Sequence, residues 1–261
     1  MSNSSKYLAT AVIFQCTSFF SFAEERFEVQ TKTIVSDVIN DYKTFYKPER
    51  LLRAASVFTL GAVIANTSID PEIQDWHQSN IKSQGSDDLS GVAKLFGEKI
   101  LIVPLAAAAT AMQMSSTDNA FGEWGQLTMR TYLVSAPAVG ALQFLTGGSR
   151  PRDGVEATWR PFNDDNGVSG HAYVGAVPFL VLAKMDQLTP IQQNLALFAS
   201  GLSAWSRVND DAHYFSQALL GWYMAWEAVD AVSSNGVNNN WVKVAPYTFG
   251  DGVGVSVSMS W

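Results

Sequence analysis

The chain has 261 residues, with 17 basic and 24 acidic side chains, three histidines and one cysteine. Apolar residues make up 47% and charged residues 16%, enough to bury a large core and to exclude general disorder. The net charge of −7 argues against nucleic-acid binding, and a single cysteine excludes a disulfide framework or a Cys-based zinc site.

Residues 1–23 read as a secretory signal peptide: Lys6, an apolar stretch from Tyr7 to Phe22, then small residues Ser21 and Ala23 before Glu24. Processing there would remove Cys16, the only cysteine, and leave an exported, thiol-free protein of the periplasm or envelope. From 24 to 232 the pattern predicts an all-α domain, a bundle of about six core helices. Apolar, helix-compatible runs occupy 51–68, 98–116, 122–146, 170–185, 189–205 and 212–232, with shorter pieces at 31–46, 71–82 and 87–96. Asp70-Pro71 and Thr189-Pro190 are helix-start signals. Residues 233–240, Ser-Ser-Asn-Gly-Val-Asn-Asn-Asn, form a polar linker. In 241–261 the period becomes two, with Val253, Val255, Val257, Met259 and Trp261 on one face, which predicts a short C-terminal β-hairpin.

Ala54–Ile69, Ile100–Thr117 and Thr131–Ser149 carry no charge and come near the ~20 residues that a membrane span requires. The other runs fall short, which favours an exported helical domain, associated with a membrane surface at most, over an integral one. The sequence sets no oligomeric state.

Two histidines lie in suggestive places. Val168-Ser169-Gly170-His171 opens one apolar helix, and Ser206-Arg207 precedes His213 at the start of another. Gly147-Gly148-Ser149-Arg150-Pro151 follows the end of a third helix. Antiparallel packing can gather all three segments at one end of a bundle. Arg150 and Arg207 are planar forks suited to phosphate oxygens. Ser169 offers a hydroxyl, and Gly170 offers a backbone N–H at a helix N-terminus, where the dipole favours anions. One histidine can act as the nucleophile in phosphoryl transfer. The other can protonate the leaving alkoxide and then activate water. Guanidinium groups neutralise the developing charge, so the chemistry needs neither a metal nor an organic cofactor.

These segments resemble the three blocks of the type 2 phosphatidic acid phosphatase superfamily, which also includes bacterial class A acid phosphatases and vanadium haloperoxidases. The family patterns are Lys-x6-Arg-Pro, Pro-Ser-Gly-His and Ser-Arg-x5-His-x3-Asp. Here they read Gln143-x6-Arg150-Pro151, Val168-Ser169-Gly170-His171 and Ser206-Arg207-x5-His213-x3-Gln217. The resemblance spans 143–217. It implies a phosphoric monoester hydrolase acting on phosphate esters, lipid or polyprenyl phosphates among them. His213 would be the nucleophile and His171 the acid and base. Arg150, Arg207, Ser169 and the Gly170 N–H would hold phosphate oxygens.

Three positions depart from the family pattern: Gln143 for lysine, Val168 for proline, and Gln217 for the aspartate that orients the nucleophilic histidine. Gln143 can donate to a phosphate oxygen without bringing charge, and Arg152 is close enough in sequence to compensate. Gln217 lies four residues after His213 on one helix face and can accept its Nδ1–H. It cannot stabilise an imidazolium as a carboxylate does. Asp210 and Asp211 are alternative partners.

These departures motivate a second function: a weakened or inactive phosphatase fold that binds a phosphorylated envelope ligand. The third is a vanadate-dependent haloperoxidase, with vanadate in the phosphate site, for which the chain is short. His77 belongs to no block and is expected to be an ordinary surface or half-buried side chain. The segment from Asp153 to Asn166 reads equally as a solvated connection or as a lid. Trp222, Tyr223 and Trp226 read as a packed face.

Overall fold

The computed structural model describes residues 31–115, 119–154, 157–234, 242–249 and 252–259. The signal peptide expected at 1–23, most of the polar linker and the hairpin turn lie outside the described residues. By packing, the chain divides between Asn40 and Asp41. Of the first unit, residues 31–40 are described and are helical.

The described body is all-α, as the periodicity predicts. Helix α1 covers 31–45, and α2 (Pro48–Ala65), α3 (Ile69–Asn80) and α4 (Gln84–Ala93) follow. A 3-10 turn, Lys94–Gly97, leads into α5 (Lys99–Ser115), and then α6 (Ala120–Thr146). A second 3-10 turn, Pro151–Asp153, precedes α7 (Gly170–Leu182), α8 (Pro190–Ser200), α9 (Leu202–Asn209) and α10 (Phe215–Ser234). The run expected at 189–205 breaks at Gly201 into α8 and α9, and α10 starts at Phe215, beyond a turn. Strands β1 (Val242–Phe249) and β2 (Gly252–Met259) pair antiparallel, Val242 opposite Met259 and Phe249 opposite Gly252.

Helices α7 and α10 form the centre. In α7 the buried positions, from Ala172 to Val181, lie on every face, as in a helix surrounded by others. It packs against α10, α8, α9 and α6, while α10 also packs against α6 and α2. Pro178 sits inside α7 without an N–H, which leaves the Val174 carbonyl without its helical donor. The Tyr132 hydroxyl of α6 donates to that carbonyl at 2.7 Å, and Trp124 Nε1 donates to the Pro178 carbonyl at 3.0 Å. The proline therefore becomes an attachment between α6 and α7.

Two charge clusters hold other helices in place. Arg130 of α6 forms a bidentate pair with buried Asp41 of α1, at 2.7 and 2.9 Å. Arg50 and Arg53 of α2 meet Glu227 of α10 at 2.7 and 2.9 Å, and Arg50 and Lys184 both reach Asp230. Tyr223 donates to Glu227, Trp226 stacks beside Tyr223, and Arg53 lies over the Trp226 ring, so these two aromatic residues pack on the cluster, while Trp222 of the expected packed face lies towards α3 and α9 instead.

Among the described residues no single helix is long and apolar enough to cross a membrane. Two bent pairs, Pro48–Ala65 with Ile69–Asn80 and Gln84–Gly97 with Lys99–Met114, are so when taken together. Large apolar side chains nevertheless face outward, Ile100 of α5 and Ile191 and Phe198 of α8 among them.

Candidate active site

The three motif segments meet at one end of the α7–α10 pair. The first leaves the C-terminus of α6. Gly147 has φ +61°, and a side chain there would run into the Arg160 carbonyl, so glycine is required for the chain to turn from α6 into Ser149 and Arg150. The segment up to Asn166 folds back onto this turn. Phe162 N donates to the Phe144 carbonyl at 2.8 Å, the Ser149 hydroxyl donates to Asp164, and the Arg160 guanidinium donates to both Ser149 and Asp164. Asn166 Oδ1 accepts from Arg150 Nε at 2.9 Å, which sets the direction of the Arg150 fork. The described part of this connection is thus tied down at the site's edge and shapes it.

The second segment starts α7. Ser169 is the N-cap, its hydroxyl accepting the Ala172 N–H at 3.3 Å. Its own N–H donates to the Gln217 carbonyl at 2.9 Å, joining the α7 terminus to the first turn of α10. Gln143, on the last turn of α6, donates to the Val168 carbonyl at 2.9 Å. That bond holds the loop before Ser169 in place.

The third segment is a helix stop followed by a helix start. Ala212 N donates to the Arg207 carbonyl at 2.9 Å and Asp211 N to the Val208 carbonyl at 3.2 Å, with Asp211 at φ +58°. This is a Schellman ending of α9, with Asp211 where glycine is usual. His213 N also donates to the Arg207 carbonyl, at 3.1 Å. The five-residue spacing between Arg207 and His213 is the length of this turn, which holds the two side chains on one site.

Gln217 ties the three segments together. With Tyr214 as N-cap, Gln217 is the third residue of α10, the position from which a side chain caps backwards. Its Oε1 accepts the Tyr214 N–H at 3.1 Å and lies 3.0 Å from His213 Nδ1. Its Nε2 donates to the Ser149 carbonyl at 2.8 Å. Turning the amide over would set oxygen against a carbonyl and nitrogen against an N–H, so the amide has one orientation. His213 Nδ1 must therefore carry the proton, which leaves the lone pair on Nε2. Asp210 and Asp211 do not take this place. The Asp210 carboxylate accepts from Ser90 and Arg207, and that of Asp211 accepts from Gln74.

Burial pushes the His213 imidazole down to about 3, and the nearby Arg150, Arg207 and His171 push in the same direction, against the Gln217 hydrogen bond. His213 is thus a neutral base at any ordinary pH. His171 is also lowered, chiefly by burial and also by Arg207 and Lys99, but Glu98 opposes that shift. Glu98 Oε1 lies 3.3 Å from His171 Nε2. Burial lowers the Arg207 guanidinium as well, with Asp210 acting against it. Arg152 is exposed, and its backbone N–H donates to the Asp211 carbonyl.

Glu98 is a side chain of this cluster that the sequence patterns do not point to. It stands 73 residues before His171, with no motif around it. The one available signal is Gly97, where a side chain would run into the His171 carbonyl and the Ser203 hydroxyl. The close approach that this glycine permits brings Glu98 to His171.

His77 is outside this site and is buried, contrary to the surface or half-buried position expected for it. No protein-family model matches the chain, and neither a curated protein nor a solved structure matches it.

Proposed function

We propose that the protein is a phosphatase that hydrolyses phosphomonoesters through a phosphohistidine at His213. The observation that carries this reading is the fixed Gln217 amide, which leaves the nucleophilic lone pair on Nε2 of a neutral imidazole with two arginines near it. Arg150, Arg207 and the N–H groups at the α7 N-terminus hold the phosphoryl oxygens. Nε2 attacks phosphorus, forming a P–N bond as the ester P–O bond breaks, and His171 gives its proton to the leaving alkoxide. His171 then takes a proton from water, whose oxygen attacks phosphorus. The P–N bond breaks, phosphate leaves, and His213 returns to its neutral form. The guanidinium groups carry the charge stabilisation, and the reaction as written uses no metal or organic cofactor.

Lipid and polyprenyl phosphates are the favoured substrates in this reading. Phe144 and Leu145 at the end of α6, and Phe162 in the connection tied to it, expose apolar surface beside the phosphate-binding segments. Export to the periplasm or envelope, and a C-terminal hairpin following the helical body, belong to the same proposal.

A second reading is an anion-binding protein without turnover. It is favoured by the two uncharged glutamines: Gln143 is engaged with Val168, and Gln217 offers no charge to an imidazolium.

The deciding experiment is hydrolysis of p-nitrophenyl phosphate and of a polyprenyl phosphate by the parent and by His213→Ala. The phosphatase reading expects turnover that the substitution abolishes. Saturable phosphate binding with no turnover over hours supports the second reading. Equal turnover by both proteins removes His213 from the reaction.

A further inference from the structure

Of the two arginines of the phosphate site, Arg150 has an amide against it and Arg207 has a carboxylate. The carboxylate is Asp210, the residue that ends α9, midway between Arg207 and His213. Its Oδ2 accepts from Arg207 Nη2. Its Oδ1 accepts from the hydroxyl of Ser90 of α4 at 2.6 Å, and Ser90 is fully buried. The Asp210 N–H donates to the Ser206 carbonyl at 3.0 Å. Both carboxylate oxygens and the backbone are held, so the side chain has one direction. The α4 helix is itself fastened to the end of α9. Asn209 Nδ2 donates to Asp87 at 2.8 Å, and Lys82, just before α4, donates to the Asn209 carbonyl at 3.0 Å.

An ion pair three residues apart at an exposed helix end is worth little, because water screens it. Arg207, however, is 9% exposed. Burial and Arg150 both work against its charge, and Asp210 is the main group acting the other way. Asp210 also leaves the guanidinium usable. Nη2 is taken by Asp210 and Nε lies 3.4 Å from Ser206 Oγ, while Nη1 takes no partner among the described residues. A planar fork held along one edge offers the other in a fixed direction. His171 and His213 both feel the Arg207 charge, which puts that charge beside the reacting groups.

We propose that Asp210, braced by Ser90, is a positioning residue: it turns the Arg207 guanidinium so that its free edge meets the oxygens of the phosphoryl group in flight. This role rests on the phosphatase reading above and extends the site to α4, which carries none of the three motif segments. In the transition state the three phosphoryl oxygens lie in one plane, so a misdirected donor costs more there than against tetrahedral phosphate.

Inorganic phosphate and vanadate, which takes the five-coordinate geometry of the transition state, are the two probes, titrated calorimetrically into the full chain. The readout is the ratio of the two affinities. Loss of a negative charge favours both anions alike, and general damage to the fold weakens both alike, so neither moves the ratio. In Asp210→Ala vanadate should lose about tenfold relative to phosphate, the worth of one hydrogen bond to a charged group. Ser90→Ala keeps the carboxylate but frees it, and should shift the ratio the same way by about threefold. Asp210→Asn keeps an acceptor without the charge and should recover part of the loss. If circular dichroism shows that Asp210→Ala has unfolded, Ser90→Ala and Asp210→Asn carry the test. An unchanged ratio in these variants, or equal behaviour of Asp210→Ala and Asp210→Asn, overturns the positioning role while the phosphatase reading stands. A parent that binds both anions without turnover overturns the phosphatase reading alone, and the ratio still decides the role of Asp210. A parent that binds neither anion overturns both.

Discussion

Gln217 Oε1 lies 3.0 Å from His213 Nδ1, while the other end of the same amide donates to the Ser149 carbonyl at 2.8 Å. An amide can hold both contacts at once because it carries a donor and an acceptor. A carboxylate in the same position has only acceptors. The glutamine therefore gives up charge on the histidine in exchange for a tie to the segment that carries Arg150.

Gln217→Asp tests that exchange. A carboxylate beside Nδ1 should raise the His213 pKa above about 3, because it stabilises the imidazolium. It should also leave the buried Ser149 carbonyl without its donor, at a cost of about 1–3 kcal/mol of stability. Histidine NMR titration and denaturant unfolding measure the two effects. Turnover should rise, since the phosphorylated ring is cationic. An unchanged His213 pKa would mean that the carboxylate does not reach the ring.

The acid limb of stability should report on His213. Its folded-state pKa is depressed to about 3, so between there and the ordinary value of 6.5 the unfolded chain binds the extra proton. Its contribution is fully present above pH 6.5 and is lost as the pH falls towards 3. The opposite slope comes from Asp70, whose carboxyl is raised by burial. Comparing the parent with His213→Asn isolates the histidine. The substitution should flatten the pH dependence in that window, and two parallel stability profiles would contradict the burial of a neutral ring.

The pH profile of turnover should depend on Glu98. His171 must carry a proton to act as the acid, and Glu98 favours the protonated form. In Glu98→Gln the high-pH limb of kcat/KM should move to lower pH, while the low-pH limb stays in place. A uniform fall in rate with no shift in either limb would assign Glu98 a purely structural role.

The helical architecture was legible because α5, α6, α7 and α10 are long apolar runs bounded by polar residues. The spacing of Arg150, Ser169, Arg207 and His213 likewise placed those side chains at helix ends. The break at Gly201 was not legible, because apolar residues continue across it at helical spacing. Nor was the role of Glu98, since its partnership with His171 depends on a tertiary approach that only a glycine permits. Gln217 was legible as a partner of His213 by its spacing, but not by a shared helix face: His213 lies in the turn before α10, and Gln217 reaches it by capping backwards. Its second bond, to Ser149, depends on how α6 ends and has no local sequence signal.

Asp41→Ala should be the most costly substitution away from the site. It leaves the Arg130 guanidinium in a buried position without its bidentate partner, a loss of about 3–5 kcal/mol. Activity per folded molecule should stay at the parent level. Thermal unfolding and active-fraction assays separate the two quantities, and a loss below 1 kcal/mol would show that solvent reaches Arg130.

The central claim is that Nε2 of His213 forms a covalent bond to phosphorus. Its most direct test is rapid acid-free quenching of the protein during turnover of a phosphomonoester, followed by peptide mass spectrometry. The account predicts a phosphoryl group on the peptide that carries His213, absent from His213→Ala and lost on exposure to acid. Turnover with no phosphorylated peptide, or a phosphoryl group located on another residue, would contradict it.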